Sequence, residues 1–187
     1  IVAIMILGIY AYNIRGGGGV THLVELLRTG DPINHGFSRV IVWSGHATLS
    51  KIADRSWLVK SHQPLLDRNL FFRSFWQRFR LSKLARKVGC NVLFVPGGSY
   101  AGNFRPMVTM SQNLLPFEWR ELRRYGCSLM LLKLLLLRKI QSRTFARADG
   151  IIFLTRYAQE VVAQVIDMPI KKLSIVPHGI DHKFLAQ

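Results

Sequence analysis

The chain has 187 residues, of which 49% are apolar and 19% charged, so it can form one globular domain and is neither disordered nor collagen-like. Its two cysteines are too few for a disulfide framework or a four-ligand zinc site, and are typical of a reducing compartment. Lys and Arg outnumber Asp and Glu by 26 to 10, mostly within residues 51–87 and 119–147, which indicates an anionic partner (phospholipid, nucleic acid or phosphorylated substrate) or two solvated helix faces.

The first predicted elements are a strand, a glycine loop and a helix. Residues 1–10 are apolar and rich in β-branched types, which predicts a strand buried on both faces of a parallel sheet. Glycines occupy positions 16–19, and Val20, Leu23 and Leu27 after them share one face of a helix. The chain therefore begins like a βαβ unit.

The same alternation continues along the chain. Strands are expected at 39–43, 57–60, 91–95, 107–111, 150–154 and 173–176. Helices are expected at 47–53, 68–88, 127–147 and from an N-cap at Thr155 to about 166. This order predicts an α/β fold, with a Rossmann-like, mostly parallel sheet and helices on both faces.

Ligands of such sheets bind where the strands end, at their carboxyl edge. The loops expected there are 13–19, 44–46, 96–106, 112–118 and 177–181. The sequence contains no serine nucleophile elbow, no HExxH motif and no His/Cys set with metal-ligand spacing. Hydrolase triads and metal chemistry are therefore not indicated.

The glycine run at 16–19 is the first candidate site. Glycines let backbone N–H groups approach a phosphate, and the following helix N-terminus adds partial positive charge. The dinucleotide pattern GxGxxG fails at Thr21 and no Gly-Lys-Ser/Thr follows, so NAD and simple ATPase functions are not indicated. The run is either a phosphate-facing loop or a flexible turn. His22 beside it either reaches a phosphate or sugar or is structural.

The second candidate site is the loop at 111–118, after a predicted strand. Gln112, Asn113 and Glu118 bring two amides and a carboxylate to the mouth of the sheet, and such groups hydrogen-bond sugar hydroxyls. The alternative is turn chemistry, in which Asn113 shapes the chain and Glu118 opens the next helix.

The predicted helix at 68–88 combines aromatic and basic residues. Phe72, Phe75, Trp76 and Phe79 recur at helical spacing, so we expect them to face the core. The basic residues around them are expected to face solvent or an anionic membrane: Arg73, Arg78, Arg80, Lys83, Arg86 and Lys87. Nucleic acid is the alternative partner, although no RRM, KH or zinc signature supports it.

Four motifs together resemble those of glycosyltransferase family 4, the retaining GT-B group. They are the glycine loop at 15–23, NLLPFE at 113–118, ADGIIFLT at 148–155, and VPHGID at 176–181 with Phe184. The last motif is the most specific, since in this family it marks the passage from the first Rossmann-like domain to the second.

The resemblance implies a domain organisation. Residues 1–176 would be the acceptor-binding, N-terminal half of a GT-B fold, and residues 177–187 would begin the interdomain hinge. We expect a fragment that is inactive alone, because the chain starts at Ile1 and the donor-binding C-terminal domain would be absent from it. The family's paired-glutamate motif E-x7-E, which grips the donor, has no counterpart here.

The resemblance also implies a hexosyltransferase that uses a nucleotide sugar and a glycan or lipid-linked acceptor, as in surface polysaccharide or glycolipid synthesis. Front-face attack would need no metal or other cofactor. The donor diphosphate would face Gly17, Gly18, Gly19 and His22. The acceptor and any catalytic side chain would be found at Gln112, Asn113 and Glu118. Many members of the family have a histidine in the loop where this chain has Gln112 and Asn113.

Many such enzymes act on membrane acceptors from the cytoplasmic side. The basic segments 68–87 and 120–147 would then dock on anionic lipid at the inner face of the cell membrane. No run reaches the roughly 18 apolar residues that a spanning helix needs. The alternative of a different class is a non-catalytic, basic Rossmann-like domain that binds anionic membrane or nucleic acid.

Overall fold

The computed structural model describes residues 5–12, 14, 16–67, 74–166, 173–177 and 179. Its strands form one seven-stranded sheet in the order β3-β2-β1-β4-β5-β6-β7, and every neighbouring pair is parallel. The strands are β1 Met5–Tyr10, β2 Phe37–Ser44, β3 Leu58–His62, β4 Val92–Val95, β5 Met107–Ser111, β6 Gly150–Phe153 and β7 Leu173–Ile175. The predicted α/β fold with a parallel sheet is confirmed.

Helices connect these strands. They are α1 Gly17–Thr29, α2 His46–Leu49, α3 Pro64–Asp67, α4 Ser82–Lys87, α5 Trp119–Arg123, α6 Leu129–Arg147 and α7 Arg156–Ala163. A π-helical turn, Gln77–Leu81, precedes α4, and residues 74–87 are helical throughout; we call this segment helix 74–87. A 3₁₀ turn, Leu115–Phe117, precedes α5.

The helices cover both faces of the sheet, as predicted. On one face, α1 and α2 pack their apolar residues against strand residues such as Ile9 and Val42. On the other face, helix 74–87, α6 and α7 pack against strand residues such as Tyr10 and Trp43. Consecutive residues of β1 and β2 fill opposite cores, which explains why the buried stretch 40–43 of β2 is apolar at every position.

Side-chain caps begin the two helices on either side of β6. Ser128 Oγ accepts a hydrogen bond from the Leu131 N–H at 3.2 Å, and Thr155 Oγ1 accepts one from the Ala158 N–H at 3.0 Å. The predicted N-cap at Thr155 is therefore confirmed. Each cap satisfies one N–H group that has no partner inside its helix.

Helix 74–87 departs from the prediction for its aromatic residues. Trp76 is buried, but Phe75 and Phe79 are 49% and 52% exposed, so the expectation that both face the core is wrong. The cause is the π turn, whose extra residue places Trp76 and Leu81, five apart, on the buried face. Phe75 and Phe79 instead pack on each other in solvent, with ring centroids 4.8 Å apart. Phe72 lies outside the described residues.

Phe153, fully buried on β6, tests the core assignment. We expect Phe153→Ala to lower the free energy of unfolding by about 3–5 kcal/mol, because it removes transfer free energy and leaves a cavity. Leu132→Ala, at a site 64% exposed, should change it by less than about 0.5 kcal/mol. Urea unfolding of both variants gives the values, and similar losses would contradict the assignment.

Candidate functional site

The sheet order reverses between β1 and β4, so the carboxyl ends of these two strands flank a topological switch point. Two of the predicted loops meet near it. A Cβ on Gly19, after β1, would lie 3.5 Å from Gln112 Oε1, after β5. The structure thus brings the glycine run and the 111–118 loop together, although β4 separates their strands.

The glycine run forms the N-terminus of α1. Gly16 is the N-cap in an extended conformation, and no side chain of the described residues caps the helix. Gly17 has φ +64°, a conformation that favours glycine. A Cβ on Gly16, Gly17 or Gly18 would meet no described atom within 4 Å. Among the described residues, no atom outside the glycine run and its helix therefore fills the space beside these three α-carbons. His22 is half-buried on the next turn.

The polar side chains of the 111–118 loop have different roles: Asn113 shapes the turn, whereas Gln112 lies near Gly19 at the edge of the sheet. Asn113 Oδ1 accepts a hydrogen bond from the Leu115 N–H at 3.1 Å, so turn chemistry accounts for this side chain. Phe117 anchors the loop by stacking on Phe145 of α6, with ring centroids 5.9 Å apart. Gln112 is half-buried, and the buried Ser111 Oγ has no hydrogen-bond partner among the described residues.

Glu118 is bound by a residue that the sequence analysis missed. Tyr157, in the first turn of α7, donates its hydroxyl proton to Glu118 Oε1. This hydrogen bond raises the pKa of Tyr157 above its ordinary value, with smaller contributions from burial and from the negative charge of Glu118, while Arg120 acts in the opposite sense. Tyr157 therefore remains a proton donor that orients the carboxylate. Its signal in the sequence is its place two residues after the Thr155 cap.

A second polar group lies at the carboxyl ends of β2 and β3. Asp67 Oδ1 accepts a hydrogen bond from the His46 N–H at 2.9 Å, and Asp67 Oδ2 lies 2.6 Å from His62 Nε2. A cavity of about 180 Å³ opens beside Asp67. The loop at 44–46 was a predicted candidate, but His62 and Asp67 were not.

The predicted basic residues of helix 74–87 lie away from these loops. Those that the structure describes are all exposed: Arg78, Arg80, Lys83, Arg86 and Lys87. Arg73 lies outside the described residues. The Arg78 guanidinium stacks over the Phe79 ring at 5.6 Å from its centroid. These cations belong to the same helical layer as α6.

The N-terminal part of α6 exposes an apolar surface. We call it the leucine face; its strongly exposed members are Leu129 at 78%, Leu132 at 64% and Leu136 at 58%, with Met130, Leu135 and Ile140 beside them. Next to it, Trp119 is half-exposed, and the guanidiniums of Arg123 and Arg138 lie 5.7 and 5.9 Å from its ring centroid.

In the part of the chain that the structure describes, no helix is both long and apolar enough to cross a membrane. Within the same residues, no group of three His, Cys, Asp or Glu side chains is arranged to hold a metal ion. The predicted hinge motif falls mostly outside the described residues, which include 176, 177 and 179 of it.

The Tyr157–Glu118 contact gives a titration test. We expect Glu118→Ala to lower the pKa of Tyr157, because it removes both the accepted hydrogen bond and the nearby negative charge. Ring-¹³C tyrosine NMR against pH measures it, with Tyr157→Phe assigning the resonance. The control is Glu121→Ala, whose carboxylate pairs with Arg124 at 2.9 Å. Equal titration of Tyr157 in both variants would refute the contact.

Comparisons with known proteins show to which family the chain belongs. A search of curated proteins finds no match. The model of Glycosyltransferase Family 4 matches residues 16–184, from the glycine run through the predicted hinge motif. The seven-stranded parallel sheet is the kind of fold expected for a domain of this family. The chain therefore belongs to glycosyltransferase family 4.

Proposed function

We propose that this chain is the acceptor-side domain of a retaining glycosyltransferase that moves a hexosyl group from a nucleotide sugar to a glycan or lipid-linked acceptor. Family membership supports sugar transfer in general. The observation that supports the specific proposal is that Gly19 lies beside the Gln112 side chain at the switch point. This contact puts a helix N-terminus without side chains next to an amide group. In this proposal the donor-binding domain follows a hinge that begins at residue 177, and the product is a surface polysaccharide or glycolipid.

The glycine run suits the departing nucleoside diphosphate. The first backbone N–H groups of α1 have no partners inside the helix, and the helix adds partial positive charge at that end. Because Gly17 and Gly18 present only backbone, a diphosphate oxygen can approach these donors closely. Donors placed where negative charge develops lower the barrier to departure. We therefore expect transfer without a metal ion, a property that activity in excess EDTA would test.

The acceptor side needs groups that orient a sugar hydroxyl. In front-face transfer, the bond from the anomeric carbon to the diphosphate oxygen breaks. The bond to the acceptor oxygen forms on the same face, and the hydroxyl proton passes to the leaving phosphate oxygen. No protein base is then required. Gln112 and Glu118 are assigned to orienting the acceptor, and Tyr157 to positioning Glu118.

Gly18→Ala separates ligand binding from folding. The new methyl meets no described atom within 4 Å, and Ala in a helix is about 0.5–1 kcal/mol more favourable than Gly, so the melting temperature should hold or rise. The same methyl occupies the space assigned to the diphosphate. We expect the KM for the nucleotide sugar to rise at least about tenfold in the full-length protein, with the acceptor KM unchanged.

The assay uses a nucleotide-sugar panel against glycan and lipid-linked acceptors. Thr21→Ala, an exposed change one turn along α1, is the matched control and should leave the donor KM unaltered. Loss of stability in Gly18→Ala, or an unchanged donor KM, would contradict the assignment. Binding of RNA without binding of any nucleotide sugar would favour the non-catalytic alternative.

We also propose that the protein docks on an anionic membrane through the leucine face. Only Leu134 among the first ten residues of α6 is buried, so this half of the helix presents apolar surface to solvent. Exposed cations accompany it at Lys133, Lys139 and Arg143. An apolar face flanked by cations, with a Trp beside it, is typical of helices at the surface of anionic bilayers.

Helix 74–87 extends this surface. It packs on the same face of the sheet as α6, because Trp76 and Phe145 belong to one core cluster. Its exposed Phe75 and Phe79 add apolar groups that the sequence analysis had assigned to the core. Helix 74–87 and α6, the described parts of the predicted membrane segments, therefore share one layer of the fold, and α6 adds an apolar surface that was not predicted.

Vesicle binding tests the leucine face. We expect the double change Leu132→Ser with Leu136→Ser to weaken binding to phosphatidylglycerol-containing vesicles at least about tenfold, because two apolar side chains lose their burial in lipid. Ile33→Ser is the matched control: Ile33 is as exposed as Leu136, at 58%, but follows α1 on the opposite face. In flotation assays, the wild-type protein should bind neutral vesicles more weakly than anionic vesicles. Equal binding to the two kinds of vesicle would refute the proposed role of the cations in docking.

A further inference from the structure

The proposed function leaves the cavity beside Asp67 unused. It is lined by Tyr12, Ser44, Gly45, Ala47, Thr48 and Asp67. It lies at the same edge of the sheet as the glycine run, because β1 and β2 are paired up to Tyr10 and Trp43. Thr48 Oγ1 donates a hydrogen bond to the Ile14 carbonyl at 2.6 Å, which ties the cavity wall to the loop after β1.

The hydroxyls of the cavity wall offer acceptors to a ligand. Ser44 Oγ donates its proton to the Ala11 carbonyl at 3.0 Å, and Thr48 Oγ1 donates its proton to the Ile14 carbonyl. A hydroxyl has one proton and two lone pairs, so each oxygen can offer a ligand only lone pairs. An ionised carboxylate, at Asp67, also only accepts. A ligand that contacts Ser44, Thr48 and Asp67 must therefore bring its own O–H or N–H donors to these three groups.

The Asp67 carboxylate is held in place at the mouth of this cavity. The His46 N–H and His62 Nε2 bind its two oxygens at 2.9 and 2.6 Å. A Cβ on Gly45 would overlap Asp67 Oδ1, so a residue with no side chain is needed for the carboxylate to lie there. The Asp67 and His62 side chains are 40% and 44% exposed, which makes the pair reachable from solvent.

We propose that this cavity binds a saccharide ring of the acceptor, whose hydroxyls donate to Ser44, Thr48 and Asp67. Assigning the ring to the acceptor rests on the proposed function, whereas binding of a hydroxyl-rich ring rests on the cavity alone. A phosphate group fits poorly, because the Asp67 carboxylate repels its negative charge and the Ser44 and Thr48 hydroxyls already donate their protons to backbone carbonyls. The cavity is thus chemically distinct from the glycine run, which presents donors.

Ligand-observed NMR on the full-length protein tests ring binding directly. The probes are a panel of methyl hexopyranosides and, separately, inorganic phosphate. We expect at least one glycoside to bind the wild type and to bind Asp67→Asn at least about tenfold more weakly, because the amide replaces one acceptor oxygen by a donor. Asp54→Asn is the control, since Asp54 is 95% exposed and contacts Lys60 instead. A melting temperature for each variant excludes misfolding.

Kinetics with the full-length protein separates the two proposals. Asp67→Asn should raise the acceptor KM at least about tenfold while the donor KM stays constant. If sugar transfer occurs and the acceptor KM is unchanged, the cavity assignment is overturned and the proposed function stands. If no nucleotide sugar is used but glycosides bind in an Asp67-dependent way, the proposed function fails and the cavity assignment stands. Binding by none of the glycosides, or by phosphate in their place, overturns the cavity assignment.

Discussion

Parallel pairing of β1 with both β2 and β4 is the constraint on which the candidate site depends. It forces both faces of the central strands to be buried, since helices must cross back on one side or the other. It also sends the chain in opposite directions from β1, so the loops after these strands diverge and leave a crevice. The glycine run, Gln112 and the Asp67 cavity all open at that edge because every strand ends there.

Much of this frame could be predicted, because its signals are local. The β-branched run that ends at Tyr10 favours a buried strand by its length and composition, and Thr155 comes directly before a helical pattern. The glycine run at 16–19 could likewise be identified as a candidate site without knowing which residues lie near it in the fold. Periodicity and caps are properties of a few neighbouring residues, and the parallel sheet follows from their alternation.

The rest could not be predicted, because it depends on residues that only the fold brings together. Glu118 and Tyr157 are 39 positions apart and meet because β5 and β6 are neighbours. His62 and Asp67 are close in sequence, but their contact needs the turn from β3 into α3. Phe75 and Phe79 were assigned to the core on a period of 3.6, but the π turn Gln77–Leu81, which contains Phe79, shifts that period by one residue.

The exposed cations of α6 and helix 74–87 lie apart from the carboxylates of Asp67 and Glu118. The chain carries sixteen excess positive charges, and its exposed cations on α6 and helix 74–87 lie on one helical layer. Asp67 and Glu118, in contrast, lie after strands at the carboxyl edge, where each is bound by a neighbouring side chain. Attraction to a charged bilayer reaches about 8 Å at physiological salt, whereas hydrogen bonds to hydroxyls act only on contact. Under the two proposals, the cationic layer would set how the protein approaches a bilayer, and it would not compete for Asp67 and Glu118, the groups proposed to bind a sugar. Because the 111–118 loop joins β5 to α5 and α6, the same short segment links the surface proposed to dock on a membrane with the edge proposed to bind the acceptor.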